Sequence, residues 1–384
     1  MTSKFHFLVA AGLLAVGAWY NAYSAYPMRI TSGSSAEYKS ITSTNHSFSI
    51  APLREQDAVP VKQDTSLRQP SQKSFQEARG DASLQKKTTE LLQVMPCPRL
   101  GNSQGNQDCI IEKIFAAVHG TNRFYVEYGF NTNVQCSSSG PNTCRLWKSG
   151  LWKGLLLDGS HQNETINLHA HYLYANNIVP ILEKYNVPKE VDYFSSDMDS
   201  HDYFVLKSVL ESGKFRPRVI SAEYNSNWPI DWSVSQIDPT IAYPDQEPPP
   251  YEFQKCVWGA SAAALRHLME RHGYSLVAVT HLLDVFYVRN DVLKEAGYQA
   301  PPYDEVIKGS VGHSLHDFET NALFLNKLVD VQVYEETKNF TQANRAIVER
   351  ILEHVKAIGQ PTIPCLANVR RVEIEEYLTS LASA

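Results

Sequence analysis

The chain lacks most of the signals that would assign it quickly. Thirty-five Lys and Arg stand against forty-one Asp and Glu, a net charge of −6, so there is no basic excess to neutralise phosphates, which argues against a nucleic-acid binder. No GxxxxGK[ST] run occurs, which argues against a P-loop NTPase, and the missing full G-x-G-x-x-G weakens a dinucleotide site. Cysteine is sparse: six in 384 residues, with no CxxC pair, which excludes a disulfide miniprotein and a zinc ribbon. What is present is a 43% hydrophobic and 11% aromatic content, enough to pack a sizeable core and to exclude a wholly disordered or collagen-like chain. The length suits two or three domains.

Lys4 precedes an apolar run from Phe5 to Tyr20. As a helix, that run spans about 24 Å, a little short of a hydrocarbon core of about 30 Å. Two readings stay open. Ala22-Tyr23-Ser24 offers a small-x-small cleavage site for a signal peptide, or the run is retained as a short signal anchor suited to thin early secretory membranes. Residues 1–26 are therefore read as signal anchor or signal peptide. Ten of the nineteen residues from Thr31 to Ser49 are Ser or Thr, a composition that cannot offset its ordering entropy, so 27–95 reads as a flexible stem. Anchor, stem and globular part together predict a single-pass type II membrane protein of the Golgi or secretory lumen, secreted if the first segment is cleaved. Sequons at Asn45-His46-Ser47, Asn163-Glu164-Thr165 and Asn339-Phe340-Thr341 fit a glycoprotein of that lumen. An oxidising compartment allows the six cysteines up to three bridges. Cys136 and Cys144 are the readiest pair, across Ser-Ser-Ser-Gly-Pro-Asn.

Beyond the stem, Asp108 to Val118 repeats apolar residues at helical spacing. Strand-like runs follow at Phe124–Gly129, Lys153–Gly159, near Ile178-Val179, at Glu190–Asp197 and at Arg218–Glu223. A helix through Leu206 and Val209 follows the fourth. Six prolines between Pro229 and Pro250 predict a long ordered loop. Helix returns from about Lys255 to Arg271. Tyr274–Thr280 and Leu283–Arg289 are joined too closely for anything but an antiparallel hairpin. Strands alternating with helices predict an α/β fold: a Rossmann-like, mostly parallel seven-stranded sheet closed by an antiparallel hairpin. Helical patterns near His316–Lys327 and Gln342–Ala357 predict a helical C-terminal extension over 291–384.

In an open parallel sheet the ligand lies outside the carboxyl ends of the strands. Acids fall at four of those ends: Glu127, Asp158, Asp197 and Glu223. Gly129 permits a sharp turn against a ligand, and Asp158 is placed to accept ribose hydroxyls. Asp197-Met198-Asp199-Ser200-His201-Asp202 is the densest chemical cluster. It suits a divalent cation such as Mg or Mn, held by Asp197, Asp199 and Asp202, or a base, with His201 preferred because imidazole titrates near neutrality. The bland use of these residues is to cap the following helix.

The runs FYVEYGFNTN, NTCRLWKSGLWKGLLLDG, VDYFSSDMDSHDYFVLKSV, RPRVISAEYN, GASAAALRHLMERHGYSLVAV and VFYVR, between Asn122 and Arg289, resemble the FkbM-type methyltransferases, a branch of the class I S-adenosylmethionine-dependent enzymes. The resemblance implies a methyltransferase-like domain over 96–290 with S-adenosyl-L-methionine as cofactor. Glu127 and Gly129 would form the methionine-side loop and Asp158 would be the ribose acid. The resemblance carries over Asp197, Asp199 and Asp202 as the acids after the fourth strand and matches Glu223-Tyr224-Asn225 to the strand-five motif. From the residues' own chemistry, Asp197 is expected beside the cofactor and Asp197, His201 and Glu223 as the catalytic groups. Asn142-Thr143 matches the helix after the first loop. Asn131 and Asn133 stand where many methyltransferases have further glycines, Ser196 where the branch has Ile, and His201 where it often has Gly or Asn. The expected activity is O-methylation of a glycan or glycoconjugate hydroxyl, with the membrane reached only through the N-terminal anchor and no nucleic-acid partner. The alternatives are a D-x-D luminal glycosyltransferase, suggested by Asp197-Met198-Asp199, and a catalytically inactive methyltransferase-like protein.

Overall fold

The computed structural model describes residues 97–384 apart from 137–139, 250–256, 311–321, 360–362, 367 and 384. The expected signal segment, the stem and Asn45 lie outside the described residues. Among the described residues, no helix is long and apolar enough to cross a membrane.

The chain forms α1 (Gln107–Val118), β1 (Phe124–Tyr128), α2 (Cys144–Lys148), β2 (Lys153–Asp158), β3 (Leu168–Ala170), α3 (Ile178–Lys184), β4 (Tyr193–Ser196), α4 (Asp202–Glu211) and β5 (Val219–Glu223). It continues with β6 (Val234–Gln236), α5 (Pro239–Ala242), α6 (Ala262–Arg271), β7 (Tyr274–Val279), β8 (Asp284–Arg289), α7 (Asn290–Glu295) and α8 (Tyr303–Ile307). The last elements are β9 (Leu328–Asp330), α9 (Val331–Thr337), α10 (Phe340–Ile358) and α11 (Arg371–Ser383).

Seven strands make one sheet in the order β3-β2-β1-β4-β5-β8-β7. Strands β1 to β5 pair in parallel, and β8 runs antiparallel to both β5 and β7. This is the α/β architecture expected, with its terminal hairpin. Period-two alternation sends successive strand residues to opposite faces. Val126, Leu155, Leu157, Phe194, Ile220 and Tyr287 pack with α3, α4 and α6 on one face. Tyr125, Leu156, Tyr193, Val219 and Phe286 pack with α1, α2 and α7 on the other. Two apolar layers around one sheet explain why its strands read as nearly continuous hydrophobic runs.

Four expected elements are corrected. Ile178-Val179 opens helix α3, where Ile178, Ile181 and Leu182 are buried at helical spacing. Pro180 is tolerated because a first-turn N–H has no partner to lose. The third strand is instead Leu168–Ala170. Helix α6 starts at Ala262, where Ser261 Oγ accepts the Ala264 N–H, rather than near Lys255. The proline-rich stretch is not loop throughout, because its prolines leave 230–238 free. Strand β6 forms there and pairs antiparallel with β9, and Pro239 opens the short α5 behind the Asp238 cap. The pattern near His316–Lys327 is a 3₁₀ turn over Ala322–Lys327, its earlier part lying outside the described residues. Within 291–384, α10 forms as expected, but Val306, Ile307, Val329, Val331 and Ala343 join the core of the main sheet.

Cys136 bonds Cys144 as expected, and Cys97 bonds Cys109. Cys365 is disulfide-bonded as well. At the amino edge of the sheet, Asp192 is fully buried. It accepts the backbone N–H groups of Thr121, Asn122 and Arg123 and the Thr121 hydroxyl, and it pairs with Arg218 at 3.1 Å. Replacing Asp192 by Ala leaves a buried guanidinium, three backbone N–H groups and the Thr121 hydroxyl without their acceptor. We expect a loss of about 3–5 kcal/mol, read as a lower urea midpoint. Arg218→Met strands the buried Asp192 carboxylate in turn, so the double variant Asp192→Asn/Arg218→Met, which removes both charges, should cost less than Asp192→Ala.

Candidate active site

Strand order reverses between β1 and β4: the chain proceeds outward through β2 and β3, then returns to place β4 on the other side of β1. An open parallel sheet splays its loops apart at such a point and leaves a crevice at the carboxyl edge. Gly129 follows β1 with φ +76, and a Cβ there would overlap the carbonyl oxygen of Asp197, just past β4. Only glycine lets the two strand ends approach so closely.

Glu127 lies beneath this loop. Its carboxylate accepts the N–H of Asn142 at 2.7 Å and of Thr143 at 3.1 Å, together with the Thr143 hydroxyl. It thereby anchors the start of α2, and burial pushes its carboxyl upward against those bonds. Asn142 Nδ2 continues the network to Ser195 Oγ, then Ser221 Oγ and the Tyr193 hydroxyl. Glu127 thus shapes the loop from below.

Asp158 ends β2. Its Oδ1 accepts the N–H groups of Ser160 and His161 and meets the Ser160 hydroxyl and His161 Nδ1, while Oδ2 accepts the Asn131 N–H at 2.8 Å. Burial opposes ionisation, but these donors outweigh it and hold the carboxyl below its usual range. A carboxylate offers about four lone-pair positions, so Oδ2 keeps capacity for one ribose hydroxyl and Oδ1 has none to spare. Asn131 takes φ +50, a left-handed turn that asparagine tolerates better than most residues.

The structure gathers Asp197, Asp199 and Glu223, each offering one carboxylate oxygen, within 4.8 Å of one another. Asp199 sits at φ +56 in the turn after β4. The side chains of Glu223 and Asp197 are hydrogen-bonded to each other, and Glu223 Oε2 is buried without a hydrogen-bond partner. Burial, then the neighbouring negative charges, push both carboxyls well above the usual range. Asp284, opposite Glu223 across β5 and β8, was not among the expected residues. It is almost wholly buried, Gln107 Nε2 donates to its Oδ2 at 2.8 Å, and its Oδ1 is unpartnered. Burial first, against that bond, pushes its carboxyl up to about 7. In sequence Asp284 looks like an ordinary hairpin-turn acid, and only strand register brings it to Glu223.

Two expected residues have other work. His201 Nε2 lies 2.9 Å from the Leu173 carbonyl, which can only accept, so that nitrogen carries the proton. Nδ1 lies 2.9 Å from Ser200 Oγ, and the ring stacks on Tyr174. Asp238 Oδ2 lies 3.5 Å from Nε2 as well, so both ring nitrogens of His201 face groups of the fold. Asp202 accepts the N–H groups of Met198 and Ser200 and the Ser196 hydroxyl. It fastens the turn before α4, and Glu223 takes its place in the carboxylate group. Those carboxylates fit a hard divalent cation, which prefers oxygen ligands.

A carboxyl whose folded value is raised contributes stability at low pH that is lost as pH climbs through that value. Asp284 loses its contribution between its unfolded value and about 7. Asp284→Asn removes the charge, so its Tm should exceed that of the wild type by a few degrees at pH 8, with the difference vanishing by pH 4. Parallel thermal melts across that range check the sign.

No family model matches the chain, and no curated protein does. Among solved structures, two crystal structures of the N-terminal domain of EvdMO1, one with SAH bound and one in the presence of SAH and D-fucose, are similar at 12% identity. Each covers 53% of this chain and 95% of that domain, with a TM-score of 0.29.

Proposed function

We propose that the chain is an S-adenosylmethionine-dependent O-methyltransferase that acts on a hydroxyl of a glycan or glycoconjugate in the secretory lumen. The observation that carries this reading is the convergence of Gly129, Asp158, Asp197 and Glu223 on the crevice where the strand order reverses. When bound, the cofactor supplies an electrophilic methyl group. Asp158 Oδ2 would accept from its ribose, and Gly129 would keep the loop after β1 closed against Asp197 beside it. Burial and neighbouring negative charge favour a shared proton between Asp197 and Glu223, and the carboxylate of that pair would take the proton of an acceptor hydroxyl. Fixing that hydroxyl in line is worth several kcal/mol. The luminal part of the proposal is supported by the absence of free cysteine among the described residues and by the apolar run ahead of the Ser/Thr-rich segment.

A second reading of the same edge is favoured by the compactness of the carboxylates. Asp197, Asp199 and Glu223 would hold Mg²⁺ or Mn²⁺, which would acidify the hydroxyl directly.

Calorimetry on the full chain should show S-adenosylhomocysteine binding. Asp158→Ala should weaken it roughly tenfold to hundredfold, the value of a hydrogen bond to a charged group. Binding of a nucleotide sugar with Mn²⁺, and no S-adenosylhomocysteine binding, would instead identify a glycosyltransferase, and binding of neither an inactive relative. In methyl transfer, Glu223→Gln should cost about 10²–10⁴ in turnover and His201→Gln far less. Abolition by EDTA selects the metal reading; indifference to EDTA selects the carboxylate base.

A further inference from the structure

We infer that Asn339 is an N-glycosylated residue and that Asn163, the other sequon among the described residues, is not. The inference rests on the luminal reading. In the modification, the side-chain nitrogen displaces the lipid diphosphate from C1 of a polyprenyl-diphosphate-linked oligosaccharide. The N–C1 bond forms, the C1–O bond breaks, and the transferase removes an amide proton. The folded chain must then accommodate a sugar on that nitrogen.

Asn339 is built for this. It is exposed and extended, at φ −114 and ψ 111, between α9 and α10. Its Oδ1 caps α10 by accepting the Gln342 N–H at 2.9 Å. Capping uses only the carbonyl oxygen, which a glycosylated asparagine retains, so the helix keeps its cap. Phe340 turns inward, its ring edge-on to Tyr243 at 6.4 Å, while Thr341 is exposed. The two residues that define the sequon therefore face outward together.

Asn163 is fastened on every side. Its Nδ2 donates to the Asn133 carbonyl at 2.8 Å, and its Oδ1 accepts the N–H and hydroxyl of Thr165. Its backbone bonds Leu168 in both directions. A sugar would have to leave from the nitrogen that faces the loop after β1. That loop also supplies the Asn131 N–H to Asp158, so a glycan there would pry apart the cofactor edge.

The test uses the full chain carrying Asn45→Gln, translated with endoplasmic-reticulum microsomes and digested with an endoglycosidase. One enzyme-sensitive mobility step is expected. Asn339→Gln and, separately, Thr341→Ala, which leaves the cap intact, should each abolish it, and Asn163→Gln should leave it unchanged. A step that survives both Asn339→Gln and Thr341→Ala, or one lost with Asn163→Gln, overturns the assignment. If no step is seen, the chain is retested behind a cleavable export leader. A protease-protected but unglycosylated chain then overturns the inference itself. Glycosylation only with the added leader upholds the site and removes the luminal reading.

Discussion

Carboxylates crowded at one buried sheet edge cannot all stay ionised, and the rest of the site depends on how that repulsion is relieved. Asp197, Asp199 and Glu223 lie within 4.8 Å, with Asp284 paired to Glu223 by strand register. The largest influences on Asp197 and Glu223 are burial and neighbouring negative charge. Sharing a proton is one relief and binding a cation is the other. Burial together with like-charged neighbours is the arrangement that marks candidate functional sites in folded proteins.

The amino edge solves the opposite problem. Asp192 is more deeply buried than the half-buried Asp197, Asp199 and Glu223, but it meets Arg218 and the amide donors of 121–123, and Arg218 itself donates to the Val118 and His119 carbonyls. Its charge is matched on the spot. A carboxylate with its own guanidinium holds the sheet together, whereas carboxylates left with one another's charge leave a site to be filled. The two ends of the same strands thus separate stability from reactivity, the division expected when ligands bind outside the carboxyl ends of an open sheet.

Much of this was legible in the sequence because it depends on local pattern. Continuous apolar runs ended by Gly or an acid marked β1, β2, β4 and β5, and the close spacing of two such runs marked the β7–β8 hairpin. The third strand was missed because Leu168–Ala170 is only three residues long, while Ile178-Val179 carries β-branched residues that belong to a helix's buried stripe. The site was half legible. Strand-end positions singled out Asp158, Asp197 and Glu223, whereas the dense cluster could not show that His201 and Asp202 are bonded to the Leu173 carbonyl and the turn's own amides. Asp284 needed cross-strand register, and although the resemblance named Asn142-Thr143, the bonds that tie Asn142 to β1, β4 and β5 needed the fold. No window of sequence contains either.

The run Glu223-Tyr224-Asn225 ties these levels together. Glu223 faces the carboxylates. One residue on, the Tyr224 hydroxyl meets Ser310 of the C-terminal segment, and its N–H reaches the Leu283 carbonyl in the hairpin turn. The next, Asn225, donates through its N–H to Ala260 and through Nδ2 to Trp258, just ahead of α6. Ser310 Oγ in turn accepts the Leu282 N–H, so hairpin turn, C-terminal segment and strand end are bonded in a ring. The end of β5 is therefore held from three directions within three residues. Glu223 is thereby held in place relative to Asp197 and Asp199, and under the proposed function that matters, because a misplacement of about 1 Å at a reacting centre is costly. The segment after Arg289 is accordingly part of what positions Glu223, through Ser310, as well as part of the core.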